Sequence, residues 1–336
     1  MKFAVVGAGA IGGYLGALLA ASGEDVTFIA RGNNLRAILD NGMRVTLEDG
    51  REVIAATARA VLDCRSAGPH DVVLLTVKAH QIAPIAAELK FLCHEATSIV
   101  TMQNGIPWWY FHGVGGAFEG RALQSVDPGG VIGAQVDPAR IIGSVVYPAA
   151  SLVAPGVVRV VEGRRFTLGE PGGTSTPRLE AIAGALTKAG FKAPVTADIR
   201  GEIWLKLWGN LAFNPLSALT HATLEDMARF PLTRELVRAM MEEAAAVAGR
   251  LGVTFRVAIE RRISGAEQVG PHKTSMLQDL EQGKAMEIEA LIGAVVELGR
   301  LTNTATPHID AVYAAVSLLA KTVAGANGRL AVSTGP

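Results

Sequence analysis

The sequence predicts an α/β chain: a doubly wound, mostly parallel sheet in the N-terminal part, followed by a nearly all-α domain. Three observations carry this. Short apolar strands alternate with helical stretches over residues 2–102. A glycine-rich loop joins the first strand to the first helix. From Asp198 onward strand alternation disappears and helical periodicity takes over. At about 150 residues per domain, a chain of 336 residues holds two domains, placed at 1–197 and 198–336.

Lys2–Val6 reads as a short strand, Ala10–Ser22 as a helix and Asp25–Ala30 as a second strand. Met43–Leu47 and Val53–Thr57 flank Asp49-Gly50, the signature of a hairpin. Asp71–Val77 and Ser98–Met102 are continuous apolar runs, as in strands buried on both faces. Val157–Val161 and Arg165–Leu168, joined by Glu162-Gly163-Arg164, predict a second hairpin, and Pro177–Ala189 a helix closing the first domain. Helices are then expected at about 198–213, 215–228, 231–251, 255–265, 273–281, 284–302 and 307–323, with a frayed Gly-rich tail from Ala324.

Composition narrows the function classes. Lys and Arg number 31 and Asp and Glu 31, so the formal net charge is zero. With no basic run either, nucleic acid and anionic membrane are not expected partners. A hydrophobic share of 49% against 18% charged excludes global disorder. Cys64 and Cys93 form no metal-binding or redox spacing, so no metal is expected and a reducing, cytoplasmic location is. The uncharged run Phe3–Gly23 superficially resembles a signal peptide or membrane span. Gly7, Gly9, Gly12, Gly13 and Gly16 argue against both. The other uncharged run, Ile141–Val158, carries Pro148 and Pro155 and reads as strands and turns.

Gly7-Ala8-Gly9-Ala10-Ile11-Gly12 matches G-x-G-x-x-G between a strand and a helix, the context that dinucleotide binding requires. The first glycine allows the turn, the second lets the backbone approach a pyrophosphate, and the third lets helix and strand pack closely. The helix start then offers N–H groups to the phosphates. After the second strand, where an NAD enzyme places an acid, stands Ile29-Ala30-Arg31-Gly32-Asn33-Asn34. An arginine pairs with a 2′-phosphate, which favours NADP; the alternative is a solvated surface arginine. Lys78 and Asn104 follow two expected strands, at the strand ends where ligands bind in open α/β sheets. Singly, either could be a loop residue or a helix cap.

Lys206 is the last charge before Glu225 and stands among Ile203, Trp204, Leu205, Leu207, Trp208 and Leu211. A helix so apolar is largely buried. Lys206, Asn210 and Asn214 recur at i, i+4 and i+8 and form one polar stripe, with Pro215 expected to kink or end the helix. A buried ammonium has a lowered pKa and can give a proton near neutral pH; the alternative is a lysine snorkelling from a helix rim. Glu287 lies off the centre of the core stripe Ile288, Leu291, Ile292, Val295 and Leu298, where it either faces the domain cleft or, as composition alone reads it, is solvated.

Together these features resemble the ketopantoate reductase family over nearly the whole chain. The resemblance rests on Gly7-x-Gly9-x-x-Gly12, Arg31, Val77-Lys78-Ala79, Gln103-Asn104-Gly105, and Glu202-Ile-Trp-Leu-Lys206 with Asn210 and Asn214-Pro215. It rests also on Thr274-Ser275-Met276-Leu277-Gln278-Asp279 and Glu287-Ile288. It implies a Rossmann domain, a helical C-terminal domain of the 6-phosphogluconate-dehydrogenase-like type, and an active-site cleft between them. It implies NADPH as hydride donor and reduction of 2-dehydropantoate to (R)-pantoate, towards pantothenate and coenzyme A. By motif match Lys206 is the general acid. Asn104 and Lys78 position nicotinamide and substrate, and Asn210, Asn214 and Ser275 hold the substrate's polar groups. Glu287 accepts from the substrate hydroxyl and orients Lys206. A homodimer is compatible with the apolar second domain.

Two departures bear on substrate. His272 stands where the best-matching members carry a substrate-binding Asn, and Trp108-Trp109-Tyr110-Phe111 follows the Asn104 turn. The aromatics either line a larger pocket or pack beneath a glycine-rich loop. The rival readings are a reductase of another 2-oxo acid or ketone, and a dinucleotide-binding sensor without turnover.

Overall fold

The computed structural model describes residues 1–326. Of the tail expected to fray, Ala324 and Gly325 form the last turn of a helix, and 327–336 lie outside the described residues. The chain forms two compact units. One comprises Met1–Ala122 and Asp127–Glu202; the other takes Leu123–Val126 and the chain from Ile203 onward.

The first unit runs β1 (Lys2–Val6), α1 (Ala10–Ala21), β2 (Asp25–Ile29), α2 (Gly32–Asn41), β3 (Met43–Thr46), β4 (Glu52–Ala55), β5 (Arg59–Val61), α3 (Cys64–Ala67) and β6 (His70–Leu75). It continues through β7 (Cys93–Thr101), α4 (Val131–Gln135), β8 (Ile141–Val146), β9 (Ala149–Ala154), β10 (Val157–Glu162), β11 (Phe166–Gly169) and α5 (Pro177–Lys188). Seven strands form one sheet in the order β11-β8-β7-β6-β1-β2-β5, parallel except for β11. From β1 the chain moves outward to β2 and β5, then returns to the other side of β1 for β6, β7 and β8. The strand order therefore reverses between β1 and β6, and the crevice for a ligand opens at their carboxyl ends.

A second sheet, β4-β3-β10-β9, covers the opposite side of α1. Glycine makes this sandwich possible. A Cβ on Gly16 would strike the Phe28 ring of the large sheet, and one on Gly13 would lie 2.8 Å from Val158 and 2.9 Å from Met43 of the small sheet. With both faces covered, α1 needs no polar side, which accounts for the uncharged run Phe3–Gly23. The Asp49-Gly50 hairpin forms, β3 pairing antiparallel with β4. The hairpin expected over Val157–Leu168 does not. β10 pairs antiparallel with β9 and parallel with β3, while β11 joins β8 in the other sheet. Glu162-Gly163-Arg164 is thus a passage between sheets.

In the second part lie α6 (Ile199–Thr220), α7 (Leu224–Arg229), α8 (Pro231–Arg250), α9 (Ile259–Gln268), α10 (Ser275–Glu281), a π-helical turn (Glu289–Gly293), α11 (Ala294–Leu301) and α12 (Pro307–Gly325). Two expectations are corrected. Of the two outcomes expected at Pro215, a kink or an end, the end does not occur: no new helix starts there and α6 continues to Thr220. Proline inside a helix costs about 3 kcal/mol, and burial of Leu211, Ala212, Phe213, Leu216 and Ala218 around it outweighs that. The helix expected from 284 begins only at Ile288, leaving Glu287 just before it, outside the helix. Among the described residues no helix is long and apolar enough to cross a membrane.

Candidate active site

In the first unit the glycine loop leaves β1 with Gly7 at φ +101°, a left-handed conformation that suits glycine. A Cβ at Gly12 would run into the Gly7 carbonyl and one at Gly7 into Val77, so both glycines are sterically required. Gly9 differs: a Cβ there would meet nothing within 4 Å, so the loop's backbone faces open space at that point. First-turn N–H groups of a helix have no intrahelical acceptor, and at the start of α1 the N-cap residue Gly9 supplies no side-chain one. The loop's carbonyls are drawn elsewhere. Thr76 Oγ1 donates to Gly7 O at 2.7 Å, and Asn34 Nδ2 donates to Ala8 O at 2.6 Å. Donors outward and carbonyls tied back fit a pyrophosphate at the helix start. Arg31, exposed, is the N-cap residue of α2 at the carboxyl end of β2.

Lys78 and Asn104 stand beyond the ends of the neighbouring strands β6 and β7. Gln103 fastens these ends together: its Nε2 donates to Leu75 O at 2.7 Å and to Val77 O at 2.9 Å. It thereby joins the residue before Lys78 to the residue before Asn104, and Lys78 N donates to Gln81 Oε1 at 3.0 Å to turn the chain. The aromatics that follow are core. Trp108, Trp109, Tyr110 and Phe111 are all buried. Trp109 Nε1 donates to Thr101 Oγ1 at 2.9 Å, and its ring lies against Gly143. Phe111 stacks on Phe118, with centroids 5.1 Å apart. Arg200 closes the segment by donating to the carbonyls of Tyr110, His112 and Pro171. The packing alternative is therefore the one the structure adopts.

In the second unit α6 is anchored by its tryptophans. Trp204 is fully buried; Trp208 Nε1 donates to Met241 O at 2.6 Å, and its ring stacks on Phe255 at 4.0 Å. Gly209 leaves room for Arg262, whose Nη2 donates to Leu205 O at 3.2 Å. Because α6 is continuous, Lys206, Asn210 and Asn214 share one face. Lys206 and Asn210 are half-buried and Asn214 is buried. Asn214 Nδ2 donates to Ser275 Oγ at 3.3 Å, so these two residues meet. Ser275 is held at the start of α10 by the N-cap Thr274, whose Oγ1 accepts from Leu277 N at 3.3 Å.

Burial pushes the Lys206 ammonium down to about 8, while the Glu287 carboxylate acts in the opposite sense and holds it up. The two residues thus form an interacting pair on facing segments. A lysine poised there is half protonated near pH 8 and can serve as an acid in neutral water. The expected pH dependence has a definite sign. If the protonated form is the acid that the reaction uses, kcat/KM is full below pH 8 and falls through about pH 8 as Lys206 loses its proton. Glu287→Gln removes the raising influence and moves that alkaline limb to lower pH. A limb near 10 in the native protein would contradict the lowering by burial, and a limb unmoved by Glu287→Gln would contradict the coupling.

Sequence reading assigned no role to Asn34, Thr76 or Gln103. Their signal was present but local: each is a small polar residue within three positions of a site residue or a strand end. His272 lies half-buried in the loop before α10, where its carbonyl accepts from Leu224 N at 3.0 Å.

Comparison with known proteins completes the picture. Residues 3–173 match the family model described as ketopantoate reductase PanE/ApbA, and residues 198–320 match the one described as ketopantoate reductase PanE/ApbA C terminal. The chain is 54% identical over 321 residues to the 2-dehydropantoate 2-reductase of Mesorhizobium japonicum, covering 95% of this chain and 98% of that protein. To the enzyme of that name from Archaeoglobus fulgidus it is 32% identical, over 88% of this chain and 90% of the other. The crystal structure of 2-dehydropantoate 2-reductase from Methylococcus capsulatus is similar with a TM-score of 0.81 at 27% identity, covering 99% of both chains. With both family models matched and near-complete coverage of its relatives, the chain belongs to the ketopantoate reductase family.

Proposed function

We propose that this protein reduces 2-dehydropantoate to (R)-pantoate with NADPH, a step towards pantothenate and coenzyme A. The observation that carries the reading is the α6 stripe: a lysine lowered to about 8 beside Glu287, on one face with Asn210 and the Asn214–Ser275 contact. NADPH is the cofactor of the family and, when bound, supplies the hydride. The residues of 1–197 hold it: Gly7, Ala8, Gly9, Ala10, Ile11 and Gly12 around the pyrophosphate, Arg31 at the 2′-phosphate, Lys78 and Asn104 towards the nicotinamide. The residues of 198–336 hold and protonate the substrate.

Lys206 has two roles. Its ammonium draws electron density from the ketone oxygen as the carbonyl carbon gains a hydride. It then passes a proton to the alkoxide, leaving a neutral amine that solvent reprotonates. Glu287 keeps the ammonium charged and directed, and accepts from the substrate hydroxyl. Asn210, Asn214 and Ser275 hold the remaining polar groups of the substrate. Cytoplasmic location is part of this proposal, supported by Cys64 and Cys93 both being free thiols; so is assembly as a homodimer.

Steady-state NADPH oxidation tests the reading, with 2-dehydropantoate and a panel of other 2-oxo acids, NADH serving as cofactor control. The expected result is a kcat/KM for 2-dehydropantoate at least about tenfold above any other acid, the discrimination that one or two pocket contacts supply. A better substrate elsewhere on the panel would make His272 the residue to examine for specificity. Tight NADPH binding without turnover on any of them would favour the sensor.

A further inference from the structure

We infer that Asn34 sets the protein's preference for NADPH by fixing the distance between the glycine loop and Arg31. The inference rests on the cofactor reading above. Asn34 lies in the first turn of α2, three residues after Arg31. Its carboxamide is used at both ends: Nδ2 donates to Ala8 O at 2.6 Å, and Oδ1 accepts from Gly156 N at 2.7 Å. Both bonds are short, and together they determine which end of the amide is nitrogen. One side chain therefore joins three separate pieces of chain: the loop after β1, the first turn of α2, and the turn between β9 and β10.

The third attachment is rigid. Gly156 has φ +71°, a Cβ there would lie 3.1 Å from Ala37 Cβ, and its carbonyl accepts from Arg44 N at 2.8 Å, tying the turn to β3. Asn34 is thus braced against the small sheet on one side and holds the glycine loop on the other. Ala30 N donates to Val61 O at 3.0 Å, which fixes the end of β2, but the start of α2 beyond it is held less firmly. The α2 N-cap has no side-chain hydrogen bond, and Leu35 N reaches Arg31 O at a long 3.3 Å.

This matters for cofactor choice because the two anions of NADPH are separated by a fixed covalent span. The pyrophosphate is held by the loop and the 2′-phosphate by Arg31. A charge-assisted pair is sensitive to geometry, so Arg31 contributes fully only if its helix stands at the right distance from the loop. NADH lacks the second anion and does not read that distance. Both ends of the Asn34 amide are engaged with backbone, so it acts as a positioning residue.

A double-mutant cycle on the full chain tests this, with NADPH and NADH dissociation constants from fluorescence titration as the readout. Asn34→Ala is expected to weaken NADPH about tenfold and NADH no more than about twofold, the cost of misaligning a charged hydrogen bond. In the Arg31→Ala background the same change should no longer alter the NADPH to NADH ratio. Asn34→Ser, with shorter reach, should move the ratio in the same direction and serves if the alanine variant folds poorly. Equal weakening of both cofactors, or an undiminished effect without Arg31, would overturn the inference and make Asn34 a structural brace only. Failure of Arg31→Ala itself to change the ratio would instead overturn the 2′-phosphate assignment on which the inference stands.

Discussion

Lys206→Ala is expected to lower kcat by about 10³-fold while leaving NADPH affinity within about threefold of native. General acid catalysis contributes roughly 10²–10⁴-fold, and an ammonium aimed at the developing alkoxide adds electrostatic stabilisation that the alanine also forfeits. Cofactor affinity is spared because the glycine loop and Arg31 belong to a different part of the chain from α6. Lys206→Arg should restore little. A guanidinium stays protonated above pH 12, so it attracts the oxygen but surrenders no proton near neutrality. Folding is not at stake in either variant, since α6 is anchored by Trp204 and Trp208 on its other faces. Single-turnover and steady-state kinetics with thermal melting check this. A kcat within tenfold of native would remove Lys206 from the chemistry.

Arg31→Ala is the second large effect. Charged hydrogen bonds contribute about 1.5–3 kcal/mol, so NADPH should weaken by roughly 10–100-fold and NADH hardly at all. Arg31 is exposed, so the preference of the native protein should also shrink with rising salt as the pair is screened. Titrations with both cofactors at two ionic strengths measure each part. Equal losses for NADPH and NADH would show that Arg31 supports the fold of the loop instead of reading the phosphate.

Much of the first unit was legible because its signals are local. The strand–glycine–helix spacing over Val6–Gly12 encodes a turn at Gly7 and a close helix approach at Gly12, and the structure shows why glycine stands there: a Cβ at either collides. The two strands after Arg51 and before Gly50 pair with each other, so a hairpin signal sufficed. Val157–Glu162 defeated the same logic, since its partners are β9 and the distant β3 and nothing local excludes pairing with Phe166–Gly169. Pro215 is the converse case. Its local rule is sound, and burial of its neighbours overrides it.

The site divides along the same line. Lys206 stood out as the last charge before Glu225, set among apolar helix residues, and the stripe through Asn210 and Asn214 followed from helical spacing. Glu287 did not, because its significance lies in a carboxylate reaching Lys206 from a segment far along the chain. Only the family resemblance singled it out. Asn34 is hidden for a related reason: its partners, Ala8 and Gly156, come from two other segments. The aromatic run after Asn104 reads as a possible pocket wall until Arg200 and Gly143 are seen to close around it.

Transfer of deuterium from NADPH dideuterated at nicotinamide C4 tests the central claim most directly. With 2-dehydropantoate in ordinary water, the native protein should yield (R)-pantoate carrying one deuterium at C2, with the hydroxyl proton drawn from Lys206 and hence from solvent. NADPH consumed without deuterated pantoate, or pantoate formed with hydrogen from solvent at C2, would contradict it.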